Sequence, residues 1–365
     1  MLRATISPRR TGRSPVTDNE TTVDLLTAVA RGVIELASKD QLSAFELPYP
    51  ASIQLALDRV VLTGLTHGGP TPTGVPELLA WCRRPGLAGW PLELPGTLLT
   101  ADARLIHPAV REPTRTCAEL ASHGPQSVTE QEAEALLTGL ADICGTVERF
   151  MACRDFLIQR PVILRFDPME LLQPARAQTW NLVKGLYGPL PTRFAADELV
   201  HCCTGCGLLA KPVTKEGPWC EGGCPSEGRE FVMSHEPRLS RALPLSLRLL
   251  LALPGRIEQA VRARFRERPR LIPLGLGVHR VNHPDGTPRV FQVHDREQPG
   301  LAALRAAETA TRLGEPLSIV VPDGPAYLGY RRRFELALPT DAQVQIVSAS
   351  EFTAPGPARA RRNHA

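Results

Sequence analysis

Five cysteines fall between Cys202 and Cys224, in the stretch HCCTGCGLLAKPVTKEGPWCEGGC. Cys203-x2-Cys206 and Cys220-x3-Cys224 form two pairs with 13 residues between them. Paired thiolates at that spacing suit a zinc ribbon, in which four sulfurs close a tetrahedral shell. Such a Zn²⁺ is structural, because no coordination position stays open for a water. Gly205, Gly207, Gly222 and Gly223 flank the cysteines and let the backbone turn tightly beside the sulfurs. Cys202 is the spare thiol, and Cys202-x3-Cys206 is the competing register. Cys82, Cys117, Cys144 and Cys153 are scattered and read as buried, inert thiols. Reduced thiols are the expectation in a cytoplasmic protein, which disfavours disulfides.

The rest of the sequence supports that compartment. No run approaches the roughly 18 apolar residues of a membrane span. The N-terminal MLRATISPRRTGRSPVTDNE has no apolar signal-peptide core. Of 42 basic residues only Lys39, Lys184, Lys211 and Lys215 are lysines, which reads as the codon bias of a GC-rich, bacterial genome. Residues 1–198 hold 19 basic and 22 acidic side chains, a net −3, and residues 199–365 hold 23 and 16, a net +7. The basic C-terminal half is compatible with nucleic acid, and equally with a solvated arginine-rich surface.

At about 100–200 residues per domain, 365 residues make two or three domains. Residues 1–20 read as a disordered basic tail and 21–196 as a mainly helical domain. Residues 197–235 hold the ribbon, 236–352 a mixed α/β domain, and 353–365 a second basic tail. The fold class is thus α + α/β. In the helical part, apolar spacing predicts helices over 21–36, 52–65, 75–83, 129–158 and 169–186. A capping box at Thr129-x-x-Glu132 opens the longest of these. Residues 84–115, rich in Pro, Gly and Leu, read as loop with short helical turns, and 162–166 as the one strand. After the ribbon, helices are expected at 247–251, 257–265, 301–313 and 327–338. Strands are expected at 270–274, 277–281, 289–294, 317–321 and 344–347. Asp285-Gly286, within His283-Pro-Asp-Gly-Thr, is a hairpin signal between the second and third of these. The order α-β-β-β-α-β-α-β gives a hairpin followed by crossovers, hence a mixed sheet with helices on its faces.

That order beside a ribbon fits a restriction-endonuclease fold, in which a helix Glu and strand carboxylates hold Mg²⁺ and a Lys positions water. Here Glu258 lies on the first helix and Asp295 follows the strand VFQVHD. His279, Gln292 and His294 stand where Asp, Asp/Glu and Lys would be needed. Strand alternation puts Gln292 and His294 on one face with Asp295 turned away, which favours lost catalysis over a histidine-substituted metal site. No phosphate-binding loop, nucleophile elbow or H-E-x-x-H occurs. Two arginine groups, Arg262 to Arg270 at alternate positions and Arg331, Arg332 and Arg333, are candidate phosphate contacts.

With these motifs together, HCCTGCG, WCEGGCP and the run from VFQVHD through LSIVVPDG to YRRRF, the chain resembles the restriction-endonuclease-related subunit of the pPIWI-RE class. The resemblance implies a three-component island with a PIWI-like protein and a DinG-type helicase, acting as RNA-dependent restriction against invading DNA. Relatives have V-D-V-K-D where this chain has VFQVHD, so the metal-binding Asp maps to Gln292 and the Lys to His294. The leading expectation is an accessory, nucleic-acid-binding subunit with a degenerate nuclease site formed by Glu258, His294 and Asp295. DNA or RNA contact is expected through Arg262, Arg266, Arg331, Arg332 and Arg333. The rivals are an active Mg²⁺- or Mn²⁺-dependent nuclease and a zinc-ribbon transcriptional or scaffolding adaptor.

Overall fold

The structure, a computed structural model, describes residues 15–44, 46–87, 90, 97–124, 127–165, 169, 173–195, 198–213, 219–224, 230–265, 270–271, 277–282, 288–324 and 327–353. The helix expected over 21–36 runs from Pro15 to Ser38, so residues 15–20, expected as part of a disordered tail, belong to it. Leu26, Val29, Val33 and Leu36 share a core with Ile53 and Val60 of the helix Ala51–His67 and with Leu78 and Leu79 of the helix Val75–Cys82. Leu120, from the helix Arg115–Ala121, closes that core. Residues 84–115 leave this last helix unforeseen, although Thr114 is an ordinary N-cap, its hydroxyl accepting from Cys117 N–H at 3.1 Å.

The helix expected over 129–158 is two helices, Val128–Cys144 and Val147–Gln159. Gly145 ends the first in the left-handed conformation, φ 69°, and Thr146 caps the second. Ser127 caps the first by accepting from Glu130 N–H, so the capping box expected at Thr129 is not the one used. Both helices pack Leu137, Leu140, Leu157 and Ile158 around Leu247 and Leu251. The 169–186 stretch is helical over Pro174–Val183, followed by one 3-10 turn. The 247–251 and 257–265 helices are one continuous run. Its segment Arg248–Ala252 widens to a π turn in which Leu253 N–H donates to Arg248 O, five residues back. Pro254 lacks the N–H that would continue regular α bonding there.

Three sheets order the strands. The short strands β1 (Val162–Ile163), β2 (Gly188–Pro189) and β7 (Arg241–Ala242) run β1-β7-β2, all antiparallel. The ribbon sheet runs β5-β4-β3-β6, from β3 (Val200–Cys203), β4 (Leu209–Lys211), β5 (Trp219–Cys220) and β6 (Phe231–Ser234). The third sheet runs β12-β11-β10-β9-β8, from β8 (Arg270–Leu271), β9 (Val278–Asn282), β10 (Pro288–Val293), β11 (Leu317–Val321) and β12 (Val344–Ser348). β8, β9 and β10 are antiparallel neighbours, while β10, β11 and β12 are parallel. The helices Pro299–Leu313 and Tyr327–Ala337 supply the crossovers. The turn at His283-Pro-Asp-Gly-Thr lies outside the described residues. Phe291 and Val293 pack with Val261 and Phe352 on one face of the sheet. Val290 and Ile319 pack with Ala302, Ala306 and Phe334 on the other.

The helical part and this sheet meet over a buried polar seam. Glu119, 7% exposed, accepts from Glu297 N–H at 2.6 Å and Gln298 N–H at 3.0 Å. Those N–H groups open the helix Pro299–Leu313, whose N-cap Gln298 makes no side-chain cap of its own. A carboxylate from a distant helix therefore supplies both the acceptors and the negative charge this helix start lacks. Gln298 in turn donates to Thr116 Oγ1 at 2.8 Å and accepts from Thr100 N–H at 2.9 Å. Gly300 permits the close approach, since a Cβ there would sit 2.3 Å from Thr97 O and 2.6 Å from Leu98 Cα. Both neighbours are backbone and cannot swing aside. Gly300→Ala should therefore destabilise the protein by about 1–3 kcal/mol or more, seen as a lower urea midpoint. An unchanged midpoint would mean that the seam is looser than described.

Candidate metal centre and the C-terminal sheet

Hydrogen bonds of the ribbon strands bring the two cysteine pairs together. Cys203 ends β3, and its N–H donates to Leu208 O at 2.9 Å, while Gly207 N–H returns to Cys203 O at 2.7 Å. The second pair starts at the end of β5 and turns through Gly223, φ 65°. Cys224 N–H points at Cys220 Sγ, 3.4 Å away. The sulfurs of Cys203, Cys206, Cys220 and Cys224 all lie within 4.8 Å of one another. Cys206 and Cys220 are 3.9 Å apart, Sγ to Sγ. A tetrahedron with metal–sulfur arms of about 2.3 Å has edges of about 3.8 Å, whereas a disulfide brings its sulfurs to about 2.05 Å. The four cysteines fit a metal ion and not a bridge. Close sulfur contacts with Cys220 and Cys224, and then burial, push the Cys206 thiol far above its ordinary value. A cation among the sulfurs reverses that preference. Among the described residues, these four are the one group of three or more His, Cys, Asp or Glu side chains near enough to share an ion.

The pleat also separates the two candidate registers. Cys202 and Cys203 are adjacent on β3, so their side chains leave opposite faces. Cys203 joins the cluster, and Cys202 packs among Leu190, Phe194, Val200 and Trp219. Burial pushes the Cys202 thiol up to about 12. Cys82, Cys117, Cys144 and Cys153 are buried and unbridged, as their scatter implies.

Two cationic side chains bind the cysteine turns to the rest of the protein. Arg256 Nη1 donates to Gly205 O at 2.7 Å. Arg115 Nη1 donates to Gly222 O, Nε to Glu119 Oε1 and Nη2 to Asp295 Oδ1, each at 3.1 Å. Beside them Arg248 and Glu221, both buried, pair through two bonds of 2.9 and 2.6 Å. Asp295, one of the expected nuclease carboxylates, is thereby engaged by Arg115.

The expected nuclease residues are not gathered into one site. Phe291 pairs with His279 across β9 and β10, and Gln292 pairs with Val278. His279 is therefore on the Phe291 face, with ring centroids 5.3 Å apart. Gln292 and His294 are on the other face, where His294 Nε2 meets Gln292 Oε1 at 3.0 Å. Glu258 lies with His279 and is 3% exposed. Both its oxygens accept from Arg154, at 2.5 and 2.6 Å. His279 Nε2 lies 2.8 Å from Glu258 Oε1, off the line of a hydrogen bond. Burial would raise the Glu258 carboxyl, but Arg154 and His279 together hold it well below the usual carboxylate range. It is an internal counter-ion, fully occupied by protein groups. Arg262 is paired likewise, with Asp155 at 3.0 Å and Glu258 at 3.5 Å. Arg331 pairs with Glu335 at 2.8 Å, whereas Arg332 and Arg333 are exposed. Arg266 lies outside the described residues.

Sequence reasoning missed Arg115, Arg154 and Glu119, whose partners lie more than 100 positions away. A buried arginine on an otherwise apolar helix face, as Arg154 is between Cys153 and Leu157, is the one local signal they leave.

Residues 25–164 match the family model described as pPIWI_RE three-gene island domain Y. The match spans the helical part, with Arg115, Glu119 and Arg154, and stops short of the cysteine cluster and the five-stranded sheet. It supports membership in the pPIWI-RE system. No curated protein and no solved structure matches the chain. No helix among the described residues is long and apolar enough to cross a membrane.

Two outcomes follow from the geometry. Cys206→Ser and Cys220→Ser should unfold the ribbon and lower the melting temperature, because metal binding and ribbon folding are coupled. Cys202→Ser should shift it far less, and the reverse ranking would refute the register. The second outcome concerns pH. Burial lowers His279 in spite of the Glu258 carboxylate beside it, and burial with the charges of Arg296 and Arg305 lowers His294. A lowered histidine contributes stability above its unfolded value of about 6.5 and loses it as pH falls below. Melting temperature should drop between about pH 7.5 and 5.5, and His294→Asn should flatten that drop. A slope unchanged by the substitution would contradict the assignment for His294.

Proposed function

We propose that the chain is an accessory, nucleic-acid-binding subunit of a PIWI-linked, RNA-dependent DNA restriction system and does not itself cut DNA. Its partners in this reading are a PIWI-like protein and a DinG-type helicase of the same island. The observation that carries the reading is the island-family match over residues 25–164. The silence of the nuclease site is supported by Glu258, whose carboxylate is taken up by Arg154, and by the separation of His279 from His294 on opposite faces of the sheet. Mg²⁺ requires hard oxygen ligands in near-octahedral array. A neutral amide at Gln292 and imidazoles at His279 and His294 do not supply them. The metal of the cysteine cluster is Zn²⁺ in a structural role, since a closed four-thiolate shell leaves no position for substrate. Arg332 and Arg333 are the exposed members of the proposed phosphate contacts.

Purified full-length protein should carry about one zinc per chain and should co-purify with the co-expressed PIWI-like protein. It should leave single- and double-stranded DNA intact in Mg²⁺. Cleavage that vanishes with Asp295→Ala or Glu258→Ala would overturn the silent-subunit reading. Cleavage in Mn²⁺ alone, abolished by His294→Ala, would make the histidines a working site, because manganese accepts imidazole more readily than magnesium does.

A further inference from the structure

A group of arginines at the end of the Val75–Cys82 helix has no counter-charge among the described residues. Leu105 and Ile106 N–H both donate to Cys82 O at 3.0 Å. Ile106 bridges to Pro113, and His107 N–H donates to Glu112 O at 2.8 Å. This hairpin thus bonds to the helix end that carries Arg83, and it holds Arg104 and also Arg111, whose charge acts on Arg83. Arg83 and Arg104 are half-buried and Arg111 is exposed. Arg83 Nε, Arg83 Nη2 and Arg104 Nε are buried and meet no acceptor. The indole N–H of Trp90 is also buried without an acceptor, its ring edge-on to Trp81 at 5.8 Å in the same last helical turn.

All four orphan groups are donors, and three are cationic. Leaving a buried donor unpaired is destabilising, and more so when it is charged. Arg83 sits at a helix C-terminus, where a positive charge is favourable. A capping role would send its N–H groups to the last carbonyls, and Nε and Nη2 reach none. Burial, and then the charge of Arg111, hold Arg83 below its ordinary value. Arg111 itself keeps a left-handed backbone, φ 54°, uncommon for a long side chain. The neighbouring acid, Glu112, faces Lys211 at 2.6 Å and Arg193 at 2.9 Å.

We propose that Arg83, Arg104 and Arg111 form a binding site for a phosphate group of a nucleic-acid strand. The site lies within the island-family segment and is separate from Arg332 and Arg333. Phosphate oxygens are acceptors only, and arginine forks match them with paired, charge-assisted bonds. The assignment to nucleic acid rests on the function proposed above; the need for an anion does not.

The test uses the full chain and fluorescence anisotropy with labelled single-stranded DNA and RNA oligonucleotides, with and without a 5′-phosphate. Arg104→Gln/Arg111→Gln should weaken binding about tenfold at low salt and reduce the slope of log affinity against log salt by about two. Unchanged affinity and slope would overturn the site. Loss confined to the 5′-phosphorylated strand would make the terminal phosphate the group bound. A second arm records melting temperature in inorganic phosphate against chloride at equal ionic strength. Wild type should gain about 2 °C or more in phosphate and the variant nothing. If no oligonucleotide binds but this gain persists, the nucleic-acid reading fails and free phosphate is the source. If the gain is absent as well, the site itself fails. Arg111→Gln alone should hold or raise the melting temperature in phosphate-free buffer, by removing repulsion from Arg83. A fall of several degrees would mark Arg111 as a structural residue and overturn its role.

Discussion

Arg115 stands where the helical part, the cysteine turns and the five-stranded sheet meet. Its three donor nitrogens reach Glu119, Gly222 O and Asp295, one in each part. Removing a guanidinium from water carries a penalty of several kcal/mol unless the geometry of its partners is good. Here two carboxylates and a carbonyl supply that geometry, and all three must be in place together. Glu119, held by Arg115 on one side, completes the start of the Pro299–Leu313 helix on the other. The helix then brings Leu301 into the core of the N-terminal helices. Cysteine cluster, helix cap and sheet thus share one guanidinium, although none of the bonds is strong alone.

The same economy of charge accounts for the state of the C-terminal sheet. Its pleat divides the polar residues of β9 and β10 between two faces. On one face His279 and Glu258 are absorbed into a buried group with Arg154. On the other, His294 is neutral and turned to Gln292. Asp295, beyond the strand end, belongs to Arg115. Charges that could have gathered a hard cation are instead used to join the sheet to the helices. Burial without partners is the exception here; it falls on donors of Arg83, Arg104 and Trp90, and also on both ring nitrogens of His279 and on His294 Nδ1.

What could be read in the sequence was local. The spacing of Cys203, Cys206, Cys220 and Cys224 located the cluster, because a metal shell imposes its own distances on a short segment. Periodicity located most helices and the strands Leu317–Val321 and Val344–Ser348, where propensity and burial agree. It failed at Gly145, where a continuous apolar stripe hid a left-handed residue that divides two helices. It gave no sign that Arg262, placed in a basic run, pairs with Asp155 and Glu258. Choosing between Cys202 and Cys203 required the strand direction. Finding Arg115 and Arg154 required knowledge of which distant segments touch, information carried by the packing of whole elements and not by any window of residues.

The central claim, that the metal cluster, the Arg115 junction and the C-terminal sheet form one cooperative body, is tested most directly by hydrogen–deuterium exchange before and after the metal is stripped with a chelator. The account predicts faster exchange in the cysteine turns and also at Arg115–Ala121 and at the start of the Pro299–Leu313 helix, because Gly222 O and Asp295 hold the same guanidinium. Exchange that accelerates only between Val200 and Cys224, with Glu297 and Gln298 N–H as protected as before, would contradict it.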